Sequence, residues 1–216
     1  MPLPLIGEVI NKLKKARYFN KLDLIWEYNN IQIKEGDEWK AAFLTNKELF
    51  KPQVMYFGLC NFSGTFQQIM NSIFQELLHE GILANYMDDF IILAKNMKEL
   101  EERTIQFLKI TEKHNFCFKW SKYDFNMKEI PILRVVIGRR QVQIETNKVK
   151  AVKEWKTSTK IKKVESFLEF TNFYKQFIKN FSYIAKPLNN LKGKKEWKWE
   201  EEQQKAFEEL KEKITS

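Results

Sequence analysis

With only two cysteines and two histidines in 216 residues, several classes of chemistry are closed to this chain. Cys60 and Cys117 lie far apart and outside any paired motif, so they read as two buried thiols in a reducing compartment. His79 and His114 alone do not supply a zinc cluster or a histidine-dependent catalytic site. Seven glycines and five prolines are too few for a low-complexity chain, and no internal repeat is visible. No apolar run approaches the ~18 residues of a membrane span, so no membrane partner is expected. The start, Met1 to Glu8, lacks a charged leader and a long apolar core, and no signal peptide is expected. With 44% hydrophobic residues the chain should be globular, as one large or two small domains.

What the chain does have is a pair of adjacent acids in an unusual place. Tyr86-Met87-Asp88-Asp89 sits between Ile82-Leu83-Ala84 and Phe90-Ile91-Ile92-Leu93-Ala94, where a β-hairpin should turn. Neighbouring carboxylates at ~4 Å and an effective dielectric of ~20 repel by about 4 kcal/mol. A divalent cation relieves that repulsion, since carboxylate oxygens suit Mg²⁺. A solvated Asp-Asp turn without a ligand is the plainer alternative. A third acid weighs against it: Tyr18 to Leu24 reads as a strand that ends at Asp23. Three carboxylates from neighbouring strands could hold two Mg²⁺ ions around a triphosphate and a 3′-hydroxyl, the arrangement of nucleotidyl transfer.

Charge is unevenly divided. Residues 1–94 carry 9 Lys/Arg against 11 Asp/Glu, a net of −2, and residues 95–216 carry 28 against 17, a net of +11. Within the second part, residues 128–195 hold 17 bases and 5 acids. Such a segment suits a phosphate backbone, although a solvated lysine-rich surface would look the same.

Periodicity predicts a helix from Leu5 to Ala16, then strands over Arg17 to Leu24, Lys40 to Thr45 and Leu49 to Met55. Ser63 should cap a long helix to His79, ended by Gly81. Another helix should run from Met97 to Asn115, with short strands at Cys117 to Phe118, Ile130 to Ile137 and Val142 to Ile144. From Asn147 onward the pattern is helical, with Phe167, Phe170, Phe173 and Phe177 as a core stripe. Gly193 to Trp199 reads as a basic surface turn pinned by its tryptophans. No Gly, Pro or Ser linker divides the chain, and the change in composition near Asn147 sets the expected boundary, giving domains 1–145 and 146–216.

Asp23, Tyr28-Asn29-Asn30, Phe57-Gly58-Leu59, Thr65-Phe66-Gln67 and Tyr86-Met87-Asp88-Asp89 occur in the order used by retrotransposon reverse transcriptases. Ser166-Phe167-Leu168, Asn172-Phe173-Tyr174, Phe177-Ile178 and Pro187-Leu188 extend the likeness, so nearly the whole chain resembles the Ty3/gypsy class of long-terminal-repeat elements. The resemblance implies an α+β fold: a right-hand polymerase palm, an antiparallel sheet packed on helices, with partial fingers over 1–145. A mainly helical thumb or connection over 146–216 would follow.

The same resemblance implies roles. Asp23 and Asp88 would bridge two Mg²⁺ ions (or Mn²⁺ in their place), Asp89 would complete the acidic site, and the Leu24 carbonyl would be a further ligand. Tyr28 would lie under the incoming sugar and favour deoxynucleotides; an ordinary buried tyrosine is its plainer reading. Phe57 and Gly58 would flank the nucleotide. Asn61 and Gln67 would line the nucleotide pocket and template track, or simply satisfy nearby backbone. Tyr86 and Met87 would lie near the primer end, and Ile132, Leu133 and Arg134 would grip the primer terminus.

Departures from the family pattern are Ile25 for arginine, Glu27 for a small residue, Ser63 for proline, and Arg134 and Glu169 for glycine. A proline-rich stretch of the family is here Trp155-Lys156-Thr157-Ser158-Thr159. The changes from glycine to glutamate or arginine and from proline to serine can each arise from a single transition, which suggests a decayed transposon copy; an excess of other substitution types among related copies would remove that support. Segments corresponding to the outer fingers, ribonuclease H, protease and integrase are not seen. The expected function is RNA-directed DNA polymerase, with primed RNA or DNA template and deoxynucleoside triphosphates as partners. Ribonuclease H and integrase are expected in the parent polyprotein. The alternatives are a decayed, non-enzymatic nucleic-acid-binding remnant and, much further off, a metal-dependent phosphodiesterase. Location is expected to be intracellular, in a cytoplasmic particle or the nucleus.

Overall fold

Tyr18–Asp23 forms a strand, β1, with Phe19, Asn20 and Leu22 buried and Asp23 at its end. The computed structural model describes residues 3–25, 27–118, 124–138, 141–157, 160–192 and 197–215. They divide into two units, Met1–Val142 and Gln143–Ser216.

In the first unit, β4 (Leu83–Tyr86), β5 (Asp89–Ala94), β1 and β6 (Asp124–Met127) form a sheet of order β4-β5-β1-β6. All its pairings are antiparallel, with Tyr18 opposite Ala94 and Asp23 opposite Asp89 in the β1–β5 register. One face of this sheet buries Leu22, Leu83, Phe90 and Ile92 against α2 (Phe62–Ile73), α3 (Gln75–His79) and α4 (Met97–Lys113). Phe74, Phe90 and Phe107 meet at the centre, with Phe74 and Phe107 stacked at 5.0 Å. A buried amide ties the layers: Asn20 donates to Thr104 Oγ1 of α4 at 2.8 Å and accepts from the Asn126 N–H of β6 at 2.8 Å. Such a satisfied buried pair fixes the strand's register as well as adding stability.

Several boundaries differ from the sequence reading. The first helix, α1, is only Ile6–Leu13. Lys40 to Thr45 begins in a 3₁₀ turn, Glu38–Ala41, and its strand is only β2 (Phe43–Leu44), while β3 is only Leu49–Phe50. The long helix breaks at Phe74, whose ring the core captures. Its N-cap is Asn61 rather than Ser63, with no side-chain cap hydrogen bond. Gly81 does follow α3 with φ 70°, as a chain-reversing glycine should. Both cysteines are exposed, which corrects the expectation of buried thiols.

β7 (Glu129–Ile132) and β8 (Val135–Gly138) form a second hairpin, with β7 packed beside β1. β9 (Gln141–Ile144), third in that sheet, straddles the junction of the two units. The hairpin turn is Leu133–Arg134, with φ of 49° and 63°. Two left-handed residues make the turn that Asn-Gly usually supplies, and side chains there cost ~1–2 kcal/mol each. Arg134→Gly should therefore raise stability by about 1 kcal/mol, seen as a higher urea midpoint. A midpoint that stays or falls would mean the contacts of the Arg134 side chain outweigh its backbone strain.

The second unit consists of α5 (Thr146–Lys153), α6 (Ile161–Phe173), α7 (Phe181–Asn189) and α8 (Glu201–Thr215). Phe167 is fully buried against Phe207 at 4.5 Å and Trp155 at 5.5 Å. The expected phenylalanine stripe is thus core at its first position, part-buried at Phe170 and Phe173, and exposed at Phe177. Of the Gly193 to Trp199 turn, residues 193–196 lie outside the described residues; Trp197 and Trp199 stack at 5.9 Å.

Candidate active site

Strand pairing brings two of the three acids face to face. Antiparallel register sets Asp23 directly opposite Asp89, and the β4–β5 turn places Asp88 next to them. Like charges opposed across a ladder destabilise it, so this strand end carries a charge arrangement that folding alone would avoid. Lys21 provides compensation: its Nζ lies 2.6 Å from Asp89 Oδ1, with side chains 20% and 25% exposed. Two residues apart on β1, Lys21 and Asp23 share one face of the sheet. Burial pushes the Asp89 carboxyl above the ordinary aspartate range; Lys21 opposes this, and the charges of Asp88 and Asp23 add to it. Protonation is then easier in the folded chain than in the unfolded one. The contribution of Asp89 to stability is unfavourable near neutrality and is relieved as pH falls through its folded pKa.

A tight turn carries Asp88. Tyr86 faces Asp89 in the ladder, leaving Met87 and Asp88 as a two-residue connection, with Met87 at φ 57°. A methionine there is strained by ~1–2 kcal/mol, and a specific strut meets it. The Met87 N–H donates to Gln67 Oε1 at 2.8 Å, while Gln67 Nε2 donates to Asn71 Oδ1 at 2.9 Å. Gln67 is buried in α2, so its amide braces the acidic turn from below.

Tyr28 belongs to the 3₁₀ turn Glu27–Asn30, and Asn30 Nδ2 holds the turn's entrance by donating to the Ile25 carbonyl at 2.8 Å. The Tyr28 ring is only 5% exposed and packs edge-on to Phe57, Phe62 and Phe66 at 4.6–5.0 Å. Phe57 itself is 71% exposed, and Gly58 beside it has φ 111°, a conformation few other residues adopt. Asn61 is exposed at the start of α2. Leu24 is buried and bridges Phe118. The Glu27 side chain lies outside the described residues. Ile132 is buried and Arg134 exposed on the β7–β8 hairpin.

The donor chemistry of Asp23, Asp88 and Asp89 fits a hard divalent cation. As arranged, one Asp89 oxygen is engaged by Lys21. Among the described residues, no three His, Cys, Asp or Glu side chains are grouped to hold a metal ion. The sequence reading passed over Lys21, whereas its plainer reading of Gln67, a side chain that satisfies backbone, is what the structure shows. Strand alternation from Asp23 points to Lys21; nothing local in sequence points from Gln67 to a backbone group twenty residues on.

Comparison with known proteins gives these features a family. Residues 3–162 match the family described as reverse transcriptase (RNA-dependent DNA polymerase). The Tf2-3 transposon polyprotein of Schizosaccharomyces pombe is 30% identical over 216 residues, all of this chain and 16% of that protein. The retrovirus-related Pol polyprotein from transposon 297 of Drosophila melanogaster is 33% identical over 195 residues, 90% of this chain and 18% of its own length. The chain therefore spans less than a fifth of these curated relatives. Among solved structures, the foamy viral protease-reverse transcriptase in complex with RNA/DNA hybrid superposes with a TM-score of 0.83 at 20% identity. That match covers 95% of this chain and 28% of the other. The same viral protein in complex with double-stranded DNA gives 0.84 at 21% identity, over 98% and 39%. These likenesses establish the expected α+β polymerase fold. Sequence and fold agree: this chain is a member of the reverse transcriptase family.

Proposed function

We propose that this chain is the polymerase portion of a retrotransposon polyprotein and extends a primer 3′-hydroxyl with deoxynucleotides on an RNA or DNA template. The observation that carries the reading is the register of Asp23 opposite Asp89, with Asp88 in the adjoining turn. In this reading the residues to 145 act as palm with partial fingers, and residues 146–216 as thumb or connection. The remaining activities, ribonuclease H and integrase, belong to the rest of the polyprotein. The complexes of the foamy viral protein with RNA/DNA hybrid and with double-stranded DNA support a primed duplex on either template as the substrate.

Asp23, Asp88, Asp89 and the Leu24 carbonyl would hold two Mg²⁺ ions, or Mn²⁺. When bound, such ions activate the attacking hydroxyl and stabilise the leaving pyrophosphate. The chain's own side chains position the reactants. Tyr28, Phe57 and Gly58 shape the nucleotide site, with Tyr28 held rigid by its three aromatic neighbours. Asn61 lies at the template side. Gln67 fixes the turn of Tyr86, Met87 and Asp88 near the primer end, and Ile132, Leu133 and Arg134 hold the primer terminus.

Primer extension on an RNA template is the test. The wild-type chain should extend, and Asp88→Asn should lose the activity. Salt-sensitive binding with no extension by either protein would instead support a non-catalytic remnant.

A further inference from the structure

A cavity of about 350 Å³ opens between α1, α2, α3 and the edge strand β4, wholly within the first unit. Its size is that of a small-molecule site, and Pro4, Val9, Leu78 and Ala84 give it apolar walls. Asn85 lines it as well, although only 5% of that residue is exposed. The Asn85 Nδ2 is buried and has no hydrogen-bond partner among the described residues. Native proteins hold few such donors, because leaving one unmatched is costly. The strand itself does not call for it: Asn85 faces Phe90 in the β4–β5 register, where an apolar residue would serve better than asparagine.

We propose that this cavity binds a small neutral molecule with an apolar body and a carbonyl oxygen that accepts from Asn85 Nδ2, and that its occupancy is transmitted to the acidic turn. The terminal amide torsion of asparagine is broad, so the donor can turn to meet the ligand. Glu8 and Lys12, one turn apart on α1, bring opposite charges to the lining and so do not select an ion of either sign. The route to the turn is already built. Asn71 lines the cavity and accepts from Gln67 Nε2, and Gln67 Oε1 accepts from the Met87 N–H. A molecule seated against Asn71 is therefore two hydrogen bonds from the Met87 backbone, with no contact to the acids. The inference needs neither a metal ion nor polymerase activity, and it stands even if the function proposed above fails.

Acetanilide is the probe, and N-ethylaniline, the same skeleton without the carbonyl oxygen, is its control. Each is titrated into the whole chain and followed by backbone amide NMR. Acetanilide should bind about fivefold more tightly than N-ethylaniline, the worth of one hydrogen bond. Asn85→Leu should abolish that preference and raise the urea midpoint, since it removes an unmatched donor. Gln75→Trp, at the exposed rim of the cavity, leaves Asn85 in place and should lose acetanilide binding by closing the mouth. In the wild-type chain the Met87 amide signal should shift as the cavity fills. No binding, equal affinity for the two probes, or a preference that survives Asn85→Leu overturns the site. So does a lower urea midpoint in Asn85→Leu, which would show that the amide is already matched in the folded chain. Binding that persists in Gln75→Trp overturns its location, and a Met87 signal that stays in place overturns the transmission to the turn.

Discussion

Asp23→Asn is expected to cut primer extension by at least about a thousandfold while making the protein slightly more stable. On the proposed two-metal reading the loss follows from removing one of three carboxylates that would hold the ions, a contribution worth several kcal/mol, and each ~1.4 kcal/mol is tenfold in rate. The gain follows from the register: Asp23 faces Asp89, and an opposed like-charge pair costs roughly 0.2–1 kcal/mol. For a chain of this size that is a rise of about 0.4–4 °C in Tm. The two effects have opposite signs, and this separates a functional acid from a structural one. A variant that both melts earlier and still extends primers would show that Asp23 serves the strand rather than the chemistry.

Gln67→Leu should also disable the protein, through the turn instead of the acids. The substitution is close in volume, yet it strips the Met87 N–H of its acceptor and Asn71 Oδ1 of its donor. Leaving a buried polar group unmatched costs about 1–3 kcal/mol. The loss falls on a residue already at φ 57°, so the turn should relax toward a conformation that misdirects Asp88. Primer extension should fall about 10- to 100-fold, as expected when reacting groups are misplaced by about an ångström. Gln67→Glu keeps an acceptor for Met87 and should retain more activity. Equal activities in wild type and Gln67→Leu would show that the turn holds its shape unaided.

How much of this was legible in the sequence depends on the range of the interaction involved. The acidic hairpin was readable because its signals are local: two apolar runs with a pair of adjacent acids between them, and Asp23 at the end of a strand. The break at Phe74 was not, because the helical pattern continues through it. Phe74 departs from helical geometry at φ −101° and ψ 21°, and its ring packs with Phe90 and Phe107. β6 escaped notice because Asp124–Met127 is a polar edge strand with an irregular register to β1 and Asn126 at φ 58°. The exposure of Cys60 and Cys117 was misjudged because cysteine's average preference for the interior says nothing about a particular loop. The sheet sets Asp23 opposite Asp89, while the wider expectation that Asp23, Asp88 and Asp89 share a pair of Mg²⁺ ions is left to metal binding, and the Lys21 ion pair went unread in the sequence.

The two exposed thiols have a practical consequence. Cys60 lies between Gly58 and Asn61, and the Cys117 carbonyl accepts from the Ile25 N–H, two residues beyond Asp23. Any maleimide dye, biotin tag or surface linker attached through native cysteine would therefore land beside the very groups it was meant to report on. Fluorescent or tethered single-molecule work on this chain should begin from a serine-substituted background, with the reactive sulfur moved to the second unit.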